Sequence, residues 1–274
     1  MLKDMTLGQF FPGNSILHRL DPRMKLVLTV LYIVIIFLAE NVYCYLALVA
    51  SAIALILVSH LSLKVVLRGI RPILFILLFT MLINVFFTKG EDVLFTLWRI
   101  TVYKEGVIRA VFMALRVTVL VVGTSVFLTY TTSPIVLTDA IESLLSPLKK
   151  IRVPVHDFAM MLTIALRFIP TLVEETDKIM NAQKARGAAF DTGNIFRRAK
   201  ALVPVIIPLL VSSFNRADEL ATAMECRCYR GDVGRTRFVR MHLHVRDFIA
   251  LSLFVLFGAG IVIANICLPF GFLV

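Results

Sequence analysis

"LVLTVLYIVIIFLAENVYCYLALVASAIALILV", Leu26 to Val58, holds a single charged residue, Glu40, in 33 positions. Glu40-Asn41 near its middle marks a tight turn, so the stretch reads as two apolar helices. Each is shorter than the roughly 20 residues that cross a bilayer comfortably, and two short spans or a re-entrant pair both satisfy it. Outward from this run the pattern repeats. Apolar segments follow at Ile73 to Phe87 after the breaker Pro72, at Ala110 to Thr129, and at Phe248 to about Leu268.

Composition agrees. The 274-residue chain is 59% hydrophobic, with a mean hydropathy of +0.87, against about 45–50% apolar content in soluble domains. Met1 to Lys25 mixes charges with Pro12 and Gly13 and lacks a continuous apolar core, so no cleavable signal is expected there. Net charge is +11. Beside membrane spans, such charge sets topology and attracts anionic lipid, and nucleic acid is not an expected partner. The four cysteines, Cys44, Cys226, Cys228 and Cys267, suggest no disulfide framework.

The 29 Lys and Arg residues fall unevenly between the apolar segments. Four precede the first, three lie between the second and third, and seventeen lie in Tyr130 to Asp247, against four in the loop between the third and fourth. By the positive-inside rule, the N-terminus and the long insertion are expected in the cytoplasm and the C-terminus outside the cell. Phe95, Trp98 and Tyr103 in the remaining loop are read as interfacial anchors.

The apolar segments themselves are poor in chemistry. Arg116 is the one charge within a span, with Asn84 and Asn265 as polar company, and a structural or snorkelling role is expected for it. Proton- or sodium-coupled transport usually leaves carboxylates or histidines in spans, which argues against a self-sufficient secondary transporter. GxxxxGK[ST], HExxH and GxSxG are absent. His242 and His244, with Cys226 or Cys228, offer the only material for an intramembrane enzyme. Their spacing completes no metal site, so neither cofactor nor metal is expected.

From about Ser133 to Asp247 the sequence reads as amphipathic helices punctuated by prolines. One opens at Ser133-Pro134, a second runs from Val155 to about Ala185 with Gly187 behind it, and a third runs from about Ile195 to Cys228. The apolar runs Phe158 to Leu166 and Leu202 to Val211 look too short and too proline-broken for spans, and are expected to leave the bilayer obliquely. The two long helices end alike. DKIMNAQKARG (Asp177–Gly187) aligns without gaps on DELATAMECRC (Asp218–Cys228), each with an Asp nine residues before an Arg between small residues. Nine residues is about two and a half turns, which puts Asp and Arg on opposite faces. The arginines therefore need another partner. Small flanking residues, Ala185 and Gly187 or Cys226 and Cys228, leave a guanidinium fork open to carboxylates and carbonyls of an approaching groove.

HRLDPRMKL (18–26), SPIVLTDAIESLLSPLKKIRVP (133–154), ALRFIPTLVEE (165–175), AQKARG (182–187) and AMECRCYRG (223–231) together resemble the transmembrane, or T, component of energy-coupling factor transporters, in order and over nearly the whole chain. The N-terminal FFPGNSILHRLDPRMKL looks more like the shared form that serves several substrate-binding subunits than the dedicated forms. The resemblance implies a non-catalytic coupling subunit in an ATP-driven importer of vitamins or other micronutrients. Its implied partners are two ABC-type ATPase subunits, a small membrane substrate-binding S component, and lipid. It further implies that Ala185-Arg186-Gly187 and Cys226-Arg227-Cys228 enter grooves of the ATPases; the second triplet keeps the arginine and replaces both neighbours.

The resulting expectation is an all-α polytopic protein of the plasma membrane, with about five transmembrane helices and a cytoplasmic helical coupling insertion. It divides into a cytoplasmic segment 1–25, transmembrane helices in 26–130, the coupling region 131–247 with both arginine motifs, and a last span with the extracellular C-terminus in 248–274.

Overall fold

The computed structural model describes residues 13, 15–88, 92–97, 100–188, 190, 194–231 and 241–267. Among the described residues the regular structure is helical apart from one two-stranded antiparallel ribbon, β1 (Val93–Leu97) with β2 (Ile100–Tyr103). Trp98, among the aromatic residues expected as anchors, lies outside the described residues, and Tyr103 stands at the start of the helix that follows. Residue contacts divide the chain into two compact units, one within Ile141–Arg240 and one formed by Gly8–Ala140 with Met241–Val274.

The second unit is a bundle of α1 (Pro22–Leu38), α2 (Val42–Ser59), α3 (Leu63–Ile70), α4 (Leu74–Phe87), α5 (Lys104–Thr124) and α9 (Val245–Cys267). Asp21 caps α1 by accepting from Arg23 N, and Pro22 takes the first helical position, where its missing N–H costs nothing. The turn at 39–41 separates α1 from α2, as Glu40-Asn41 predicts. Pro72 lies in the break between α3 and α4, whose axes differ by 58°. α5 runs on into a π-helical stretch, Ser125–Tyr130, that buries Val126, Phe127 and Tyr130.

Tyr32, Phe127 and Phe254 form the centre of the core, edge to face, with centroids 5.4–6.1 Å apart. Gly123 makes this possible, since a Cβ there would come within 2.1 Å of the Tyr32 ring. Arg116 has the structural role expected of it: Nη2 donates to the carbonyl of Ala39 at 2.9 Å, satisfying the end of α1, and the guanidinium lies over the Tyr45 ring. Asn265 at the end of α9 donates to Leu38 O and accepts from Cys44 Sγ. The outward faces of these helices carry Val30, Phe37, Leu46, Leu57, Phe75 and Leu256 to the surface, which suits lipid as solvent.

The first unit contains the last turns of α6 (Pro134–Leu145), a short 3₁₀ turn (Ser146–Ile151), and two long helices, α7 (Val155–Ala185) and α8 (Ile195–Cys226). At its start His156, buried, meets Glu142 at 3.0 Å. Five helices among the described residues are long and apolar enough to cross a membrane: α2, α5 with its π extension, α7, α8 and α9; α3 and α4 together could form another. α7 and α8 qualify because they continue unbroken through Pro170, Pro204 and Pro208. Each proline removes one i→i−4 bond and the helix still propagates, so the apolar runs at 158–166 and 202–211 sit in much longer helices than their own lengths suggest.

Candidate functional site

α7 and α8 run antiparallel. Glu175 of α7 accepts from Ser212 Oγ at 2.5 Å and from Arg216 Nη2 at 2.6 Å, both on α8. Tyr229, just past α8, donates its hydroxyl to Met160 Sδ near the start of α7 at 3.0 Å. These pairs fix the register, because the partner's number rises as the first falls. The Glu175–Arg216 pair is partly shielded, with side chains 20% and 33% exposed, and braces the middle of the pair with a modest energy, on the order of 1 kcal/mol.

The matched sequences at the two helix ends adopt one backbone motif. At the end of α7, Gly187 N donates to Lys184 O at 3.0 Å and Ala188 N to Gln183 O at 3.0 Å. At the end of α8, Cys228 N donates to Glu225 O at 2.9 Å and Tyr229 N to Met224 O at 3.1 Å. Both are Schellman caps, in which two orphan carbonyls are closed by a residue in the left-handed region. That residue is Gly187 at φ 88° in one and Cys228 at φ 55° in the other. Ala185 and Cys226 are the last helical residues, and Arg186 and Arg227 are the capping residues between.

All six predicted residues are exposed. Among the described residues neither guanidinium has a hydrogen-bond or ion-pair partner. The Schellman geometry explains the glycine after Arg186. Gly enters the left-handed region freely, whereas Cys228 carries a Cβ at a cost of roughly 1–2 kcal/mol. Among the described residues a Cβ at Gly187 would meet nothing within 4 Å, so the glycine answers to its positive φ there.

The two triplets are not brought together. In the register set by Met160–Tyr229 and Glu175–Ser212, Arg227 lies across from about residue 162, roughly 24 helical residues from Arg186, so the arginines stand on the order of 35 Å apart along the axes. They also differ in surroundings. Arg227 lines an open cavity of about 520 Å³ with Met160, Ile164, Leu220 and Met224. Tyr229, which ties the second end to α7, carries no signal in the sequence beyond its place after the matched segment.

The other candidates take simple roles. His244 N donates to Asp247 Oδ2 at 2.7 Å at the start of α9, and His242 is exposed. Both histidines precede α9 in irregular backbone and lie on no helix. Cys226, Cys228 and Cys267 are exposed free thiols and Cys44 is buried. No group of three or more His, Cys, Asp or Glu side chains capable of holding a metal occurs among the described residues.

Comparison with known proteins places the chain. A family model described as cobalt transport protein, CbiQ, matches residues 13–238. Several curated relatives carry the name energy-coupling factor transporter transmembrane protein EcfT. The one from Clostridium kluyveri is 52% identical over 251 residues, covering 91% of this chain and 93% of the relative. That from Ruminiclostridium cellulolyticum is 49% identical, covering 96% and 98%. The third, from Thermosediminibacter oceani, is 46% identical, covering 96% and 99%. With its apolar helices and this breadth of similarity, the chain belongs to the family of transmembrane proteins of energy-coupling factor transporters, and is a multi-pass membrane protein of transport.

Proposed function

We propose that the chain couples two ABC-type ATPase subunits to a substrate-binding S component in a micronutrient importer, with Arg186 and Arg227 as the two points of attachment. The observation that carries this reading is the repetition of one cap at the two far ends of an antiparallel helix pair, each presenting an exposed arginine. Two like sites, on the order of 35 Å apart, suit two like subunits, one at each end. A guanidinium fork between small residues suits a groove lined with carboxylates and carbonyls. The chain's own part is non-catalytic: it transmits movement.

The reading constrains topology. α7 and α8 are antiparallel, so if they crossed the bilayer their C-terminal ends would emerge on opposite sides and one arginine would face away from the cytoplasm. Both must therefore lie on the cytoplasmic side, despite their length. The Glu175–Arg216 pair halfway along, with Arg167 and Asp177 beside it on α7, favours this placement, since charges in mid-membrane are expensive. The N-terminus then lies in the cytoplasm and the C-terminus outside, as the distribution of Lys and Arg indicates. ATP-driven changes in the ATPase pair move the two ends, provided the ends bind the ATPase states with different strength or geometry.

The test is co-purification of the ATPases with Arg186→Glu, Arg227→Glu and the double variant, alongside uptake. Each single substitution is expected to weaken association and the double to abolish it. Normal association and uptake in the double variant would sink the reading.

A further inference from the structure

Three chain segments far apart in sequence meet at one buried polar cluster in the membrane bundle. Lys25, in the first turn of α1, is 2% exposed; Asp247, in the first turn of α9, is 0%; Asp21, Thr131 and Thr132 are 6%, 3% and 6% exposed. Lys25 Nζ donates to His18 O at 3.3 Å, Thr131 O at 2.9 Å and Thr132 Oγ1 at 3.2 Å, which uses all three of its protons. Asp247 Oδ1 accepts from Asp21 N at 2.9 Å while its Oδ2 accepts from His244 N. Asp21 Oδ1 in turn caps α1 through Arg23 N at 2.9 Å.

The charges match the helix termini they meet. Two positive N-terminal ends, of α1 and α9, receive carboxylates, and the negative C-terminal end of the α5–π helix receives an ammonium. Thr131 and Thr132 join the α5–π helix to α6, which leads into the long insertion, and His244 immediately precedes α9, which follows it. The segment leading into the insertion is thus held to the foot of α1 by Lys25, and the segment following it by Asp247 through Asp21 N, four residues away. A buried ionic cluster is weak evidence for stability, since apolar residues of like volume often do as well; its directional bonds fix geometry.

We propose that Lys25 and Asp247 are positioning residues for coupling. The cluster is the fixed point at which force on the insertion is passed to α1, α5 and α9, and without it the insertion's movement is lost as slack. This rests on the proposed attachment to ATPases.

The experiment compares the purified complex carrying Lys25→Met, Asp247→Asn or the milder Thr132→Val, reconstituted in liposomes, by three readouts: ATPase co-purification, ATP hydrolysis and substrate imported per ATP. Lys25→Met and Asp247→Asn are expected to keep the ATPases and hydrolyse ATP within about threefold of the parent, while import per ATP falls about tenfold or more. Thr132→Val, which removes one of three bonds, should lower it about two- to threefold. Unchanged import per ATP in the assembled variants overturns the inference, as does loss of assembly in all three, which would mark a purely structural cluster. Arg186→Glu and Arg227→Glu, run in parallel, separate the two ideas: if they release the ATPases while Lys25→Met leaves the ratio untouched, only the positioning role fails.

Discussion

The ends of α7 and α8 share a backbone and differ in side chains. Each closes with the same pair of Schellman bonds and holds an exposed arginine at the capping position. Gly187 enters the left-handed region at no steric cost, whereas Cys228 does so as a residue with a Cβ. Among the described residues a Cβ at Gly187 would meet nothing within 4 Å, while the second end is tied to α7 through Tyr229 and borders an apolar cavity. The similarity indicates that the motif is a device for presenting a guanidinium. The difference indicates that tertiary packing at the second end offsets the left-handed strain that the first end avoids with its glycine.

The largest effect is expected from the double substitution Arg186→Glu with Arg227→Glu. Losing both ends should reduce ATPase association by at least about a hundredfold, read by co-purification or titration, since each reversed charge in a docking groove costs about 1.4 kcal/mol or more. Single substitutions should each cost roughly tenfold or more. Equal losses would show that the side-chain differences are incidental, while a markedly smaller loss at Arg227 would show the cavity sharing the load.

Arg186→Lys and Arg227→Lys should each weaken association by about three- to tenfold, because an ammonium lacks the planar fork. Gly187→Val forces a β-branched residue into the left-handed region and should destabilise that helix end by roughly 1–2 kcal/mol, lowering the thermal midpoint and loosening the first attachment. The smallest change is Cys228→Gly, which relieves the Cβ strain and should stabilise the second end by up to about 1 kcal/mol. A loss of stability instead would show that the thiol packs usefully.

Much of this was legible in the sequence. Leu26–Val58 announced the paired α1 and α2, and the gapless match of DKIMNAQKARG with DELATAMECRC announced two like helix ends, because a cap is a local motif and local motifs repeat in sequence. What remained hidden was non-local. The continuity of α7 and α8 through their prolines was expected, but the apolar runs 158–166 and 202–211, judged alone, concealed that each whole helix is long and apolar enough to cross a membrane. The register that sets Arg186 and Arg227 far apart is carried by Glu175, Ser212, Arg216, Met160 and Tyr229, five residues with no common motif. The partnership of Asp21 with Asp247 spans 226 positions, and only folding discloses it.

The central claim, that both arginine ends meet ATPases on one side of the membrane, is tested most directly by thiol labelling. In a chain otherwise free of cysteine, Ala185→Cys is compared with the native Cys226 using a membrane-impermeant maleimide, with and without the ATPases. The account predicts that both positions label from the cytoplasmic face alone and that the ATPases protect both. Labelling from opposite faces, or equal labelling of both positions in the presence and absence of the ATPases, would contradict it.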